Sequence, residues 1–595
     1  MKNKSATITL SIERISWFLL SIFFVILFFR PVETGDIWWH LKAGEYIFQH
    51  KTVPSIDPFP FAQEQSVWIL TQWLGSLIYY LVYHGFGLLG LKLFRLLLFG
   101  TVIGMFIQYA RRQLPRAGVL FLVFILIMAL YNRPHLRPFV FNFIFIQIFL
   151  SALFAFSANK QFKSFIPILI AGPFWVNIHL GSFMYGLSLI GIFLFSAAVK
   201  YLKAKPTDSE PNRETKRLMA GFGTIFIIFL FMFLMNPYGL SGAFHPFKTL
   251  FFPDYLNFNL LKNTISELQP PQLFTLDYIW FWPILILSII TIYFDSVQRF
   301  RNLVLILCSF FIFLYGQRAG LFFVFVVLYT FMDSLKNSGT KQFKLVRTGK
   351  NIFLIGLCGY LAIRIQAESQ KKVFVNNKIY SPWTLSEDYT APRALIDKLQ
   401  SQNIQGAVFN EDTYGGYLLW DNYPKLPPYS DTRQISLNNF KFYNLILRNP
   451  AKYWPQIDSV NNFTAVMMDA DQFINRKVIL FLLMHPDWSL VLVKGDQILF
   501  IKKSVSSEDY QQKLLSENIN IQKYISILNK TLSSPPTDYI KYVYMEPVAT
   551  AVTLYELGFK GAALKHLVDS FEISNSPYQH EMARLVLNNL LFVKE

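Results

Sequence analysis

The chain has 595 residues, of which 53% are hydrophobic, 17% aromatic and only 15% charged. A soluble protein of this composition could not keep its apolar residues from water, so that class is excluded. The net charge of +18 does not indicate nucleic-acid binding, because Lys and Arg occur in short clusters between apolar runs. The two cysteines, Cys308 and Cys358, lie within apolar runs and predict neither a disulfide framework nor a metal site.

Apolar runs of the length that crosses about 30 Å of hydrocarbon continue to about residue 365. The first run follows a basic tail but has no small-residue cleavage site, which indicates a retained anchor. Residues 67–108 are too long for one crossing, so 73–83 is predicted to lie in the interface. About eleven membrane helices are predicted, at 15–30, 88–108, 117–131, 139–157, 164–178, 183–199, 218–235, 276–293, 302–316, 320–335 and 351–365.

The basic residues predict the orientation of these helices. With the N-terminus inside, the inner loops hold about 21 Lys and Arg and the outer loops about 7. Counting 67–108 as two crossings would reverse this bias. We therefore expect a multi-pass protein of the bacterial inner (plasma) membrane, with a cytoplasmic N-terminus and an extracytoplasmic C-terminal region.

The region after residue 365 is predicted to be soluble. Short β-like runs at 408–409, 417–420 and 464–468, and a pair at 489–494 and 497–502 around the turn Gly495-Asp496, indicate an α/β domain. Residues 506–595 have a helical period, with a helical-hairpin pattern at 549–567. The predicted domains are a transmembrane domain at 1–365 that includes an outer loop at 31–66, an α/β domain at 366–505 and a helical region at 506–595.

Polar residues that hydropathy does not explain gather on the predicted outer side. Ionisable groups at membrane depth are costly, so they are candidates for a functional site. They are Asp36, His40, Lys42, Glu45 and Asp57 in the first outer loop, and Arg133, His135, Arg137, Asn177, His179, Asn236, Glu267 and Arg318 between later helices.

Several short motifs follow one another on this side. They are Gly35-Asp36-Ile37-Trp38-Trp39-His40, Asp57-Pro58-Phe59, Arg133–Pro138, Asn177–Gly181, Asn236-Pro237-Tyr238-Gly239, Glu267, Gly415–Trp420 and Asp431-Thr432-Arg433. In this order they resemble the GT-C superfamily of polytopic glycosyltransferases, in a bacterial branch that uses polyprenyl-phosphate sugars. The resemblance extends to about residue 435. Gln72 departs from it, at a position where that branch often has an acidic residue.

The resemblance implies a polytopic α-helical GT-C-like domain that transfers a sugar, with inversion, from a polyprenyl-phosphate donor to a glycan, lipid or protein acceptor. Such a transfer needs a base for the acceptor and positive charge for the departing phosphate. Surrounding apolar helices and membrane lipids would hold the polyprenyl tail. The residues assigned are Asp36 as base, Asp57 as a second acid or a ligand of Mg²⁺ or Mn²⁺, and His179 as a further catalytic residue. Arg133, Arg137 and Arg318 are assigned to the donor phosphate, and Trp38, Trp39, His40, Glu267, Asp431 and Arg433 to the sugar or acceptor.

Each candidate also has a structural interpretation. Asp36 would cap a helix beginning at Ile37, and Asp57 before Pro58 is typical of a turn. The tryptophans are typical of an aromatic belt, and arginines at this depth can extend to lipid headgroups.

Two other functions stay open. A transporter or flippase for a lipid-linked glycan should carry ionisable groups near mid-bilayer and repeated halves. A non-catalytic membrane scaffold would not need the first-loop carboxylates.

Overall fold

The computed structural model of the chain describes all residues except 1, 33–34, 62–65, 132–134, 204–208, 253–260, 263, 296, 339–343, 539 and 593–595. The chain divides into two compact units. The first unit holds residues 1–29, 43–55 and 69–365, and the second holds 30–42, 56–68 and 366–595. Segments of the predicted first outer loop thus belong to the second unit.

The part of the chain up to residue 370 is helical. Its helices are α1 (Lys2–Phe28), α2 (Gly35–His50), α3 (Trp73–Ala110), α4 (Arg116–Leu130), α5 (Phe141–Asn159), α6 (Ile166–Ile178), α7 (Phe183–Lys203), α8 (Ser209–Met232), α9 (Gly239–Phe251), α10 (Phe281–Phe294), α11 (Arg299–Tyr315), α12 (Gly320–Ser338) and α13 (Lys344–Gln370). Short 3₁₀ turns at Pro138–Val140, Phe162–Phe165, Leu180–Ser182 and Gln317–Ala319 precede α5, α6, α7 and α12.

A helix lies at each position that was predicted to cross the membrane. Among the described residues, eight stretches are long and apolar enough to do so: Ser11–Phe28, Trp73–Ala110, Pro138–Asn159, Leu180–Lys203, Arg213–Met232, Leu276–Phe294, Gln317–Lys336 and Asn351–Gln370. Arg116–Leu130 and Phe162–Ile178 are apolar but shorter. The chain is a multi-pass membrane protein, while the count of eleven crossings and their orientation stay predictions.

Helix α3 is broken at Gly87. This residue has φ +60° and ψ −155°, a conformation that glycine adopts without a steric penalty. A straight helix of 38 residues would be about 57 Å long, far more than the hydrocarbon layer requires. The break separates 73–86 from 88–110 and confirms the predicted interruption between residues 83 and 88.

Helices α5 and α12 form the centre of the first unit. In the stretches that contain them, 72% and 83% of the apolar window is buried, against 17% for α13. The polar groups in this core are bonded: Asn142 accepts from Trp175 Nε1 at 2.7 Å and donates to Ser182 Oγ at 3.0 Å. These bonds fix the start of α5 against α6 and against the turn before α7.

The second unit contains two small sheets. Its strands are β1 (Lys371–Val375), β2 (Lys378–Tyr380), β3 (Val408–Asn410), β4 (Ala465–Asp469), β5 (Trp488–Lys494), β6 (Gln497–Lys502) and β7 (Lys541–Met545). One sheet has the order β3-β4-β6-β5, with β3 and β4 parallel and β6 antiparallel to both its neighbours. The other has the order β2-β1-β7, with β7 parallel to β1.

Helices surround these sheets. They are α14 (Arg393–Ser401), α15 (Gly415–Asp421), α16 (Leu437–Arg448), α17 (Pro450–Asn461), α18 (Arg476–Leu483), α19 (Tyr510–Ser516), α20 (Ile521–Leu532), α21 (Glu546–Glu556), α22 (Lys560–Ile573) and α23 (Pro577–Phe592). A core of aromatic and aliphatic side chains, among them Trp454, Phe463 and Trp488, lies between helices and sheet.

Most predicted strands occur, among them the hairpin of β5 and β6, which turns at Gly495 with φ +60°. Two stretches differ from the prediction. The prediction of a strand at 417–420 was wrong, because this stretch belongs to α15. Tyr417, Leu418 and Leu419 are all buried, and a continuous apolar run does not distinguish a buried helix from a buried strand. Strand β7 lies in the region that was predicted to be helical.

Candidate functional site

Two predicted phosphate-binding arginines and Glu267 lie together in the first unit. Arg137 Nη1 donates to Glu267 Oε1 at 2.9 Å, and Arg318 Nε lies 3.8 Å from Oε2. The hydroxyl of Tyr79 donates to the Arg137 carbonyl at 2.9 Å and so holds the backbone just before α5. The Arg137, Glu267 and Arg318 side chains are 26%, 22% and 33% exposed, so a ligand can reach them. Two guanidinium groups share one carboxylate, which leaves net positive charge.

Glu267 borders two cavities. One has a volume of about 260 Å³ and is also lined by Asp277, Tyr278, Trp280 and Gln317. The other, of about 30 Å³, lies against Arg137, Arg318, Phe139 and His135. Planar guanidinium groups with several donors suit the oxygens of a phosphate or a carboxylate.

His179 belongs to the same end of the first unit. Its ring packs edge-on against Phe139 at 5.5 Å, and the Arg318 guanidinium lies 4.9 Å from the same Phe139 ring. The Ser182 backbone N–H donates to His179 Nδ1, so the neutral ring carries its proton on Nε2. Nε2 lies 3.2 Å from the Gln72 amide, which must present its oxygen to accept that proton. Gln72 therefore orients His179. The sequence did not indicate this role for Gln72, which was noted only as a departure from the family pattern.

The other motif residues of the first unit hold loops in place. Asn177 accepts from Trp73 Nε1 at 2.8 Å and donates to the Met235 carbonyl at 2.7 Å. Asn236 bonds the backbone of its own turn. The hydroxyl of Tyr238 accepts from Leu70 N–H and donates to the Pro54 carbonyl, which ties two parts of the first-loop region to this turn.

Asp57, Asp431 and Arg433 form a buried ion-pair network in the second unit. Arg433 Nη1 lies 2.7 Å from Asp57 Oδ1, and its Nε and Nη2 each donate to Asp431 at 2.9 Å. The Arg433 guanidinium also lies over the rings of Phe59 and Trp68, at 5.6 and 5.1 Å. Only 3% of the Arg433 side chain is exposed, so this guanidinium is enclosed together with Asp57 and Asp431.

The environment of Asp57 bears on its predicted roles. Burial raises the pKa of its carboxyl, while the Arg433 charge opposes this shift. Oδ1 also accepts from the Phe59 backbone N–H at 3.0 Å, the turn expected of Asp before Pro. Within the described ranges, no group of three or more His, Cys, Asp or Glu side chains is arranged to hold a metal ion. These residues do not fit the predicted Mg²⁺ or Mn²⁺, and we assign no step to a metal.

Trp38 is buried in the second unit and packs against the helix α15. Its ring lies 5.2 Å from Tyr417 and is covered by the Arg393 guanidinium at 4.8 Å. Arg393 in turn bonds both oxygens of Glu387 and pairs with Asp421. With 1% of its surface exposed, Trp38 has no face free for a sugar in this arrangement. Arg393 was not predicted, because no motif surrounds it in the sequence.

The first turn of α2 carries Asp36 and lies directly against the Gly415-Gly416 pair. A Cβ at Gly416 would collide with the Gly35 carbonyl oxygen, and a Cβ at Gly35 would collide with the Thr413 carbonyl. The helix begins at Gly35, two residues earlier than predicted, and Asp36 lies in its first turn. A carboxylate there is stabilised by the helix dipole. The two glycines thus determine where Asp36 lies.

Asp36 also acts on a buried carboxyl that the sequence analysis missed. Asp412 is buried and accepts from Ser430 Oγ at 2.5 Å. Its pKa is raised to about 7, mainly by burial, and the charges of Asp431, Glu411 and Asp36 contribute to this rise. Glu411 and Asp412 directly follow strand β3, and Asp469 ends the parallel neighbour β4. Acidic residues after a predicted strand were the signal that could have found them.

The remaining predicted residues are placed as follows. Trp39 packs edge-on against Trp68 at 6.3 Å, and His40 is buried. Arg133 lies outside the described residues.

No protein-family model matches the sequence, and no curated protein matches it. Solved structures do resemble the fold. The oligosaccharyltransferase of Archaeoglobus fulgidus in its apo form has a TM-score of 0.51 and 13% identity, with 78% of this chain and 70% of that one covered. The archaeal oligosaccharyltransferase AglB from the same organism, in complex with an inhibitory peptide and a dolichol-phosphate, has a TM-score of 0.51 and 11% identity. This match covers 78% of this chain and 70% of that one. At this identity the likeness concerns the fold alone, and the chain shares the fold of these archaeal oligosaccharyltransferases.

Proposed function

We propose that this chain is an integral membrane glycosyltransferase that moves a sugar from a polyprenyl-phosphate-linked donor to an acceptor at the outer face of a bacterial inner membrane. The observation that carries the proposal is the GT-C fold. One structure with the same fold was solved in complex with an inhibitory peptide and a dolichol-phosphate, and the second of these is a lipid phosphate.

In the proposed reaction, Asp36 takes the proton of an acceptor hydroxyl or amide while that group attacks the anomeric carbon of the donor. The bond from this carbon to the phosphate oxygen breaks, and the lipid phosphate leaves with its electron pair. Attack opposite the leaving group inverts the anomeric carbon. Arg137 and Arg318 neutralise the departing phosphate, which favours it as a leaving group.

The contacts of the other candidates suggest supporting roles. Glu267 holds the two arginines in place until the donor phosphate arrives, and Gln72 and Ser182 hold the His179 ring in one orientation. A direct role of His179 in catalysis stays a prediction. Asp57, Asp431 and Arg433 position the first-loop segment on which they meet, and Trp38 does the same through Arg393. Contact of Trp39 and His40 with the acceptor stays a prediction.

Substitution of the proposed base tests this function most directly. Asp36→Asn keeps the shape of the side chain but cannot accept the proton. Loss of a general base costs roughly 10² to 10⁴ in rate. We expect normal membrane insertion, retained binding of the lipid-linked sugar and almost no transfer. The measurement is mass spectrometry of lipid-linked sugars and surface glycans from cells with either chain, in which the unused donor should accumulate.

A matched control separates base catalysis from helix capping. Asp509 caps α19 through a hydrogen bond from Gln511 N–H at 2.9 Å and has no proposed chemistry. Asp509→Asn should leave the glycans unchanged. Wild-type transfer by Asp36→Asn would show that Asp36 is structural and would make Glu267 the next candidate base.

A further inference from the structure

The first unit has a second polar cavity, remote from the Glu267 cluster. Its volume is about 540 Å³, within the range of small-molecule sites. It is lined by Tyr109 near the end of α3, by Ala155 near the end of α5, by Lys163 just before α6, and by Asp333 and Lys336 near the end of α12.

The directions of α5 and α12 place this cavity at the opposite membrane face. Arg137 and Arg318 lie just before the first residues of these two helices, whereas the cavity extends from the middle of both helices to their last turns. Nineteen residues of α5 extend about 28 Å. This is close to the thickness of the hydrocarbon layer. The two polar regions are therefore about one bilayer apart, whichever face is the outer one.

The charges at the cavity select an anion. Three exposed cations line it: Arg112, Lys163 and Lys336. None of them is in a salt bridge with another described residue. Among the described residues of the lining, Asp333 is the only carboxylate, and it is paired with the buried Arg301 at 2.5 Å. Positive charge thus remains at the rim, while hydroxyl groups of Ser151 and Tyr109 add hydrogen-bond donors.

The wall between the cations and the membrane core is apolar. Ile148, Ala152 and Ala155 follow one another along α5, and Pro167 completes this side. Small side chains leave room beside the helix for a hydrocarbon chain. A free inorganic anion would gain no binding energy from an apolar wall. A phospholipid has both a charged headgroup for the cations and a hydrocarbon chain for the wall.

We propose that this cavity binds the phosphate headgroup of an anionic membrane phospholipid from the leaflet opposite the Glu267 cluster. The phosphate contacts Arg112, Lys163 and Lys336, and an acyl chain lies along Ala152 and Ala155. Basic pockets between membrane helices are a known basis for anionic-lipid binding. The site is separate from the proposed transfer chemistry and does not depend on it.

Native mass spectrometry of the full-length purified protein tests the proposal. Phosphatidylglycerol is titrated against phosphatidylcholine of the same chain length, and inorganic phosphate is titrated in a third arm. We expect selective retention of phosphatidylglycerol. Each of Arg112→Gln, Lys163→Gln and Lys336→Gln should weaken it about fivefold, the effect of one cation near a membrane surface. Arg111→Gln is the matched control, because Arg111 is exposed and adjacent but does not line the cavity.

A second variant tests the apolar wall without changing charge. Ala155 is exposed in the lining, so Ala155→Trp fills the space without disturbing packed side chains, and it should also release the lipid. Equal retention in all variants, equal loss in Arg111→Gln, or no preference over phosphatidylcholine would each overturn the proposal. Binding of inorganic phosphate as tight as that of phosphatidylglycerol would show that the ligand is a free anion and not a lipid.

Discussion

Arg433 Nη1 lies 2.7 Å from Asp57 Oδ1, although 376 residues separate the two in the sequence. Both side chains are almost fully buried, and Asp431 occupies the other donors of the same guanidinium. The pair brings an early loop segment and the C-terminal part of the chain into one compact unit. The stability of that unit therefore depends on residues that a linear domain map assigns to different domains.

Replacement of Arg433 should destabilise the protein. Arg433→Leu leaves two buried carboxylates without their ion-pair partner, and breaking a buried pair costs about 3–5 kcal/mol. We expect a lower unfolding temperature of the purified protein and faster proteolysis of the second unit. Arg448→Leu is the control, since Arg448 is exposed at the end of α16. Equal unfolding temperatures for the two variants would contradict a structural role of the network.

Gly416→Ala should displace Asp36 without changing any ionisable group. The added Cβ has no space beside the Gly35 carbonyl, so α2 must move away from α15. Transfer should be lost together with some stability. Gly104→Ala, where no atom lies within 4 Å of the new Cβ, should retain both. Full transfer by Gly416→Ala would show that the position of α2 does not matter for the reaction.

Glu267 and Arg318 should have opposite effects on donor binding. Arg318→Ala removes one charged hydrogen-bond donor, worth about 1.5–3 kcal/mol, so donor affinity should fall roughly 10- to 100-fold. Glu267→Gln instead removes the carboxylate that competes for both arginines, so affinity should be kept or improved while transfer falls. Titration of a polyprenyl phosphate into the two purified variants measures this. If both variants bind the polyprenyl phosphate more weakly to the same extent, the phosphate does not bind at Arg137 and Arg318.

The buried carboxyls predict an unusual pH dependence of stability. Burial raises the pKa of Asp412 to about 7 from a reference of 3.8, and that of Glu411 also to about 7. The folded chain thus binds these protons more tightly than the unfolded chain. Stability should therefore fall as pH rises from about 4 to 7, at up to about 1.4 kcal/mol per pH unit for each group, and stay low above pH 7.

Unfolding temperatures at pH 5 and pH 8 measure this effect. The wild-type protein should be more stable at pH 5, and Glu411→Gln with Asp412→Asn should reduce the difference. The exposed cap variant Asp509→Asn should leave it unchanged. A wild-type protein that is more stable at pH 8 would contradict the raised pKa of these two carboxyls.

Sequence patterns predicted local features better than tertiary ones. Apolar length located the membrane helices, and the turn dipeptide Gly495-Asp496 located a hairpin, because each depends on neighbouring residues. The pairing of Asp57 with Arg433 depends on the fold of the whole chain, and no local pattern encodes it. Likewise, Trp38 was interpreted as a belt residue, because the residue that covers it, Arg393, lies about 350 positions away in the sequence and no local pattern indicates this contact. Arg137 and Glu267 were each predicted as site residues, but the sequence did not predict that they bond to each other.

The parallel pairing of β1 with β7 has a consequence for synthesis. Strand β1 directly follows α13, whereas β7 lies near the other end of the chain, at 541–545. Until β7 has been made, β1 can pair only with the three residues of β2, and a two-stranded ribbon is marginal by itself. Every residue up to Met545 must be synthesised before this sheet can close. A chain that stops before residue 541 would remain a target for quality-control proteases, even with every membrane helix already in place.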